Sequence, residues 1–173
     1  MNRVIWSNGI RFIVLLLIQT LILRRVTYDW GSLGYLHILI YPLFILLLPI
    51  KTPRALVLAL AFLMGIGVDM FYNSLGVHAS ALVFMAYFRP FVMKILEPYG
   101  GYNVEDSPTI RNFGTGWFFT YAAILLFLHI FFYFCVEAFS FVFIFEIMLN
   151  TIFSFAISII IIFIIQLILR PKY

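Results

Sequence analysis

Residues 62–88 read FLMGIGVDMFYNSLGVHASALVFMAYF. The stretch is mostly apolar and is interrupted by a short polar turn, Asn73-Ser74-Leu75-Gly76. Two membrane-length helices joined by a tight hairpin would produce this pattern. A full carboxylate, Asp69, and an imidazole, His78, stand on either side of the turn, and Gly65 and Gly67 precede the acid. What a charge does at the end of such a run depends on where the hairpin sits.

The rest of the chain places it in lipid. Of 173 residues, 65% are hydrophobic and only 10% charged, with a mean hydropathy of +1.11. Soluble domains carry about 25% charged residues, so this chain has too few polar groups to cover a globule. The 21 Phe, 10 Tyr and 3 Trp suit lipid-facing and interfacial positions better than a cofactor box. No small-residue cleavage site follows the first apolar segment, so that segment is read as a retained helix. The single cysteine, Cys135, excludes an intramolecular disulfide. The net charge of +4 comes from basic residues flanking the apolar runs, which is a topology signal and not a nucleic-acid footprint.

The fold expected is all-α, a polytopic membrane protein with six transmembrane helices at residues 4–23, 34–50, 53–71, 77–96, 115–136 and 139–169. The second, of about 17 residues, barely crosses a 30 Å core and contains Pro42 and Pro49, so a re-entrant or tilted segment competes with a helix. The sixth, about 31 residues long, should tilt or extend past the interface. Six crossings put both termini on one side. Nine basic residues then share that side: Arg3, Arg11, Lys51, Arg54, Arg89, Lys94, Arg111, Arg170 and Lys172. Only Arg24 and Arg25 lie opposite, which makes the termini cytoplasmic. The connections on the outer side are short, and the cytoplasmic loop 97–114 is read as a flexible connection. No internal repeat suggests an inverted-repeat transporter.

Under this topology the intramembrane polar residues form an outer layer: His37, Asp69, His78, His129, Glu146 and Asn150. Such groups face a bundle interior, a cavity or a partner. A small outward pocket is one reading; interhelical hydrogen bonds that pin helix register are the other, and the favoured one. No pair has metal-ligand spacing, and no metal or cofactor is expected. Asp69 either accepts N–H bonds from the Asn73–Gly76 turn or caps the fourth helix across it. Gly65, one turn before Asp69 on the same face, would let a neighbouring helix approach closely. Gly65-Ile66-Gly67 lacks the third glycine and the strand context of a dinucleotide fingerprint. Arg11 and Arg89 are expected to snorkel to the headgroups, and Pro90 to kink the fourth helix before an amphipathic end. No nucleophile motif is present, so the chain is not read as an enzyme.

The block LLLPIKTPRALVLALAFLMGIGVDMFYNSLGVHASALVFMAYF resembles the central part of the MreD family of rod-shape-determining membrane proteins. The matching positions are Leu48, Pro49, Ile50, Pro53, Phe62, Gly65, Asp69, Leu75, Gly76, His78, Ala79 and Tyr87. They lie within roughly residues 40 to 90, about a third of the chain. The resemblance implies a non-enzymatic assembly factor of the bacterial inner membrane. Its partners would be an MreC-like bitopic protein, a RodA-type glycosyltransferase with its transpeptidase, and the MreB filament. Structural or interaction roles then fall on Pro49, Gly65, Gly67, Asp69, Gly76, His78, His129 and Glu146. The family fold is also similar to the six-helix S-component of energy-coupling-factor vitamin transporters. A substrate-binding subunit of that kind is therefore the alternative function, and an outward pocket would distinguish it.

Overall fold

The computed structural model describes residues 2–25, 36–103 and 106–169, and all regular structure among them is helical. Helix α1 (Asn2–Leu17) runs on through a π-helical segment, Ile18–Leu23. A single turn, α2, covers Leu43–Leu46. Helices α3 (Arg54–Tyr72) and α4 (Val77–Ile95) form the hairpin. A second single turn, α5 (Ile110–Phe113), precedes α6 (Thr115–Ala138). A 3₁₀ turn at Phe141–Phe143 leads into α7 (Ile144–Leu169).

Four helical stretches among the described residues are long and apolar enough to cross a membrane: Trp6–Leu23, α3, α6 and α7. The protein is therefore membrane-associated. Its outward surface agrees, with Ile13, Leu63, Met70, Phe153 and Ile160 all exposed. Helix α4 has 19 residues but is not among the four. His78, Arg89 and Lys94 lower its apolarity, and most of these polar groups turn out to be used inside the fold.

Contacts fix the direction of each helix. Gly67 of α3 faces Leu16, and Gln19 meets the Tyr72 hydroxyl, so α1 runs parallel to α3. Trp117 near the start of α6 donates to the Leu96 carbonyl just after α4, so these two are antiparallel. Phe119 packs edge-on against Phe163, which returns α7 to the same end. The start of α1 and the end of α7 thus share one end with Lys51, Arg54, Arg89, Lys94 and Arg111, here called the basic end. Asp69 marks the other. Arg170, Lys172 and residues 26–35 lie outside the described residues.

The expectation of a helix over 34–50 is corrected. Its described part, 36–50, has no regular structure at 36–40, makes the one turn α2, and then bends through Pro49. It still threads the bundle: Tyr41 bonds His129, Tyr121 bonds the Leu46 carbonyl, and Ile50 N–H donates to the Asp106 carbonyl at 3.0 Å. It is also the centre of the core, with Leu39, Tyr41, Ile45 and Leu46 at 1% exposure or less. Irregular backbone at membrane depth survives only where protein surrounds it, and every long helix packs around this segment. Pro42 opens α2, where a missing N–H is harmless. Pro49 is buried and its carbonyl accepts the Thr52 N–H in the turn that launches α3.

Three further expectations change. The final helix begins at Ile144, not 139, because Phe139 adopts a left-handed conformation (φ 47°) and ends α6. The loop after α4 is packed only over its later part: Ser107 and Thr109 are buried, Thr109 caps α5, and Asn112 donates to the Ser107 carbonyl, while Glu97, Tyr99, Gly100 and Gly101 are exposed. Arg89 does not snorkel. It is 4% exposed and donates Nε–H to Tyr121 Oη at 3.0 Å and Nη2–H to the Leu48 carbonyl. The guanidinium thus holds the end of the threaded segment, and α4 continues through Pro90 to Ile95.

Candidate functional site

The hairpin turn is built around Asp69. Helix α3 ends where Asn73 turns left-handed (φ 54°), and α4 begins after Gly76 at φ +82°. The second of these conformations suits glycine, which has no Cβ to strain. No side chain at Gly76 can cap α4, and the Asp69 carboxylate does so from the preceding helix. Its Oδ1 accepts the His78 N–H at 3.0 Å and its Oδ2 the Ala79 N–H at 2.9 Å. Ser74 Oγ donates to Oδ1 at 2.5 Å, and His78 Nδ1 lies 3.0 Å from the same oxygen. An ionised carboxylate only accepts, so the His78 proton sits on Nδ1. Four donors and a favourable helix N-terminus offset the cost of burying the charge, which is 5% exposed.

Ser74, His78 and Asp69 are the residue types of a hydrolytic triad, but they are wired differently. A triad places the serine on one imidazole nitrogen and the carboxylate on the other. Here both lie on the Nδ1 side, while His78 Nε2 is buried without a partner among the described residues. The serine proton is held by the carboxylate itself. The arrangement fastens a turn and activates no hydroxyl.

Beyond the turn, aromatic rings close over His78. Tyr72, Tyr133 and Tyr41 lie 4.9, 4.8 and 5.8 Å from its ring centroid. Tyr41 Oη bonds His129 Nε2 at 2.8 Å, and Tyr133 Oη donates to Glu137 at 3.1 Å. His37 packs against Tyr133 and Phe134. The structure therefore brings Asp69, His78, His129 and His37 into one buried cluster. Glu146 does not join it. It is exposed and lines a cleft of about 290 Å³ at the rim, with Glu137 and Asn150. No group of three or more His, Cys, Asp or Glu among the described residues is placed to hold a metal ion.

Gly65 and Gly67 serve different neighbours. A Cβ on Gly65 would stand 2.3 Å from Ala79 Cα, so this glycine lets α3 and α4 touch backbone to backbone. A Cβ on Gly67 would meet only the methyl ends of Leu16, at 3.1 and 3.3 Å. The neighbouring helix that Gly65 admits is the chain's own α4.

Sequence reasoning passed over the residues that hold the threaded segment. Ser154 Oγ accepts the His37 N–H at 2.9 Å and Ser158 Oγ the Leu39 N–H at 3.0 Å. Gln19 does more: Oε1 accepts the Ile40 N–H at 2.9 Å, and Nε2 lies 3.0 Å from both the Ile38 carbonyl and Tyr72 Oη. Gln19 therefore substitutes for the sheet or helix partner that residues 38 and 40 lack. The helix opens into π geometry at this position, with Arg24 N–H reaching back five residues to the Gln19 carbonyl. One signal was available. Thr151, Ser154 and Ser158 recur at helical spacing on one face of an otherwise apolar helix.

Compared with known proteins, the chain matches no family model, no curated protein and no solved structure. The functional reading therefore stands on the residues and their geometry.

Proposed function

We propose that this protein is a non-enzymatic membrane scaffold of the MreD type, embedded in the bacterial inner membrane. In this reading it crosses six times, five times as a helix (α1, α3, α4, α6 and α7) and once as the threaded segment 36–50. Both ends of the chain face the cytoplasm, as the positive-inside bias requires.

The observation that carries this reading is the filled interior at the Asp69 end. Tyr41, His78 and His129 are each exposed by 1% or less. Their rings pack on one another, and Asp69, Ser154, Ser158 and Gln19 spend their polar atoms on backbone groups. A vitamin-binding subunit needs an outward cavity of about 300–1,000 Å³ with converging polar groups. Here Asp69, Ser154, Ser158 and Gln19 turn to the protein's own backbone, and the rim cleft beside Glu146 has a volume of about 290 Å³, below that range, which favours a rigid scaffold. Partner contact then falls on exposed apolar rows, such as Leu63, Ile66 and Met70 along α3. A single partner helix of the MreC kind packs on such a row by van der Waals contact. Links to a RodA-type synthase and to the MreB filament follow from the same resemblance.

The test is co-expression with an MreC-like bitopic protein, followed by affinity purification in mild detergent and mass spectrometry of any bound small molecule. Stoichiometric partner with no retained vitamin is the expected result. A tightly held vitamin and no partner overturns the scaffold reading in favour of the transporter subunit.

A further inference from the structure

At the basic end, opposite the filled layer, the fold leaves space. Helices α3 and α4 touch at Gly65–Ala79 and part toward Arg54 and Lys94, about 16 Å away along α3 at 1.5 Å per residue. Two adjoining cavities occupy the gap. One, of about 420 Å³, is the more polar and is lined by Arg54, Arg89, Lys94 and Glu97, among others. The second, of about 470 Å³, lies beside it at the same level of the two helices and is mostly apolar, lined by Leu58, Tyr87, Phe88 and Phe91. Arg54, Ala86, Pro90 and Lys94 border both, so the two form one continuous groove.

Among the described residues that line this groove, the charges are not balanced. Three cations face one carboxylate, Glu97. Arg89 spends Nε–H and one Nη2–H on Tyr121 and the Leu48 carbonyl, two of its five donors. Arg54 and Lys94 are exposed at the cavity wall, and neither makes a hydrogen bond or ion pair with a described residue. The apolar arm is equally unfilled, with Tyr87 68% and Phe91 61% exposed.

From this combination we infer that the α3–α4 groove is a binding site for one anionic glycerophospholipid. Its phosphate lies between Arg54 and Lys94, with an acyl chain along Leu58, Tyr87 and Phe91. Cations at the basic end and an adjoining apolar wall are complementary to the two halves of such a lipid. A soluble phosphate would leave the apolar arm unexplained, and a partner's apolar helix would leave the cations unpaired. The site is independent of the scaffold reading, since it uses none of the residues at the Asp69 end.

The experiment is native mass spectrometry of the full-length protein in mild detergent, supplied with equal amounts of phosphatidylglycerol and phosphatidylcholine of matched chains. One phosphatidylglycerol per protein should be retained in preference to phosphatidylcholine. The double variant R54Q/K94Q should keep the wild-type thermal midpoint and lose about twenty-fivefold in retention, roughly fivefold for each cation. K94Q alone should lose about fivefold, which serves if the double variant fails to fold. L58W, which blocks the apolar arm, should weaken retention, whereas R111Q, a cation at the same end but outside the groove, should not. Equal retention of the two lipids, or of neither, overturns the inference. So does an equal loss in R111Q and R54Q/K94Q, or displacement of the lipid by millimolar inorganic phosphate.

Discussion

Gly65 lies against Ala79 so closely that a Cβ added to it would fall 2.3 Å from Ala79 Cα and 2.7 Å from Ala79 N. The same Ala79 N–H is the donor that Asp69 Oδ2 accepts at 2.9 Å. One residue of α4 is thus held twice by α3, by shape at Gly65 and by charge at Asp69, one helical turn apart. In lipid, where apolar surface gains nothing by leaving its solvent, close backbone contact and satisfied polar groups are what bind helices together.

The shape half of this clasp is testable with two glycines. In G65A the new methyl meets backbone, which cannot yield, so α3 and α4 must separate. A loss of about 3 kcal/mol is expected, at the upper end of overpacking costs. In G67A the methyl meets Leu16 side-chain ends, which can rotate, and the loss should stay below about 1 kcal/mol. Thermal unfolding in detergent compares them, and equal losses would refute the backbone contact.

The charge half is tested at Asp69. D69A removes the acceptor of two helix N–H groups, Ser74 Oγ and His78 Nδ1 together, and should cost about 2–4 kcal/mol. D69N keeps one side-chain oxygen and should fall between D69A and the wild type. If D69N matches D69A, the capping geometry is not what the carboxylate supplies.

The threaded segment makes its own prediction on α7. S158A strips the Leu39 N–H of its partner inside the core and should cost about 1–3 kcal/mol. T151V changes an equally buried hydroxyl, but one that bonds only the Ile147 carbonyl of its own helix, at 2.7 Å. That change should cost less than about 1 kcal/mol, because the helical backbone bond remains. Equal effects would mean that Ser158 packs without supporting the segment.

Gln19 should be the most sensitive polar position in α1. Q19L keeps the volume but abandons the Ile40 N–H and the Ile38 carbonyl at once, and leaves the Tyr72 hydroxyl only its bond to the residue 19 backbone carbonyl. A loss above about 3 kcal/mol is expected. Hydrogen exchange at Ile40 would report it directly, rising in Q19L while amides within α6 remain protected.

Much of this was already written in the order of residues. A chain so poor in charge has only lipid as a solvent, and long apolar runs there must become helices, so α1, α3, α6 and α7 follow from composition and length alone. The hairpin at residues 73–76 is equally local: Asp69, Gly76 and His78 lie within ten positions, close enough for the turn chemistry to be read. What the chain order cannot express is how residues 36–50 satisfy their backbone. Their partners Gln19, Tyr121, Ser154 and Ser158 stand up to 119 positions away, and a run such as LFILLL has no feature that rejects a full helix. The tertiary fold decides the matter. Side chains on four surrounding helical stretches offer the N–H and C=O groups of this irregular segment the bonds a helix would have made internally, and so a charged or hydroxylated residue that looks like a binding site becomes part of the wall.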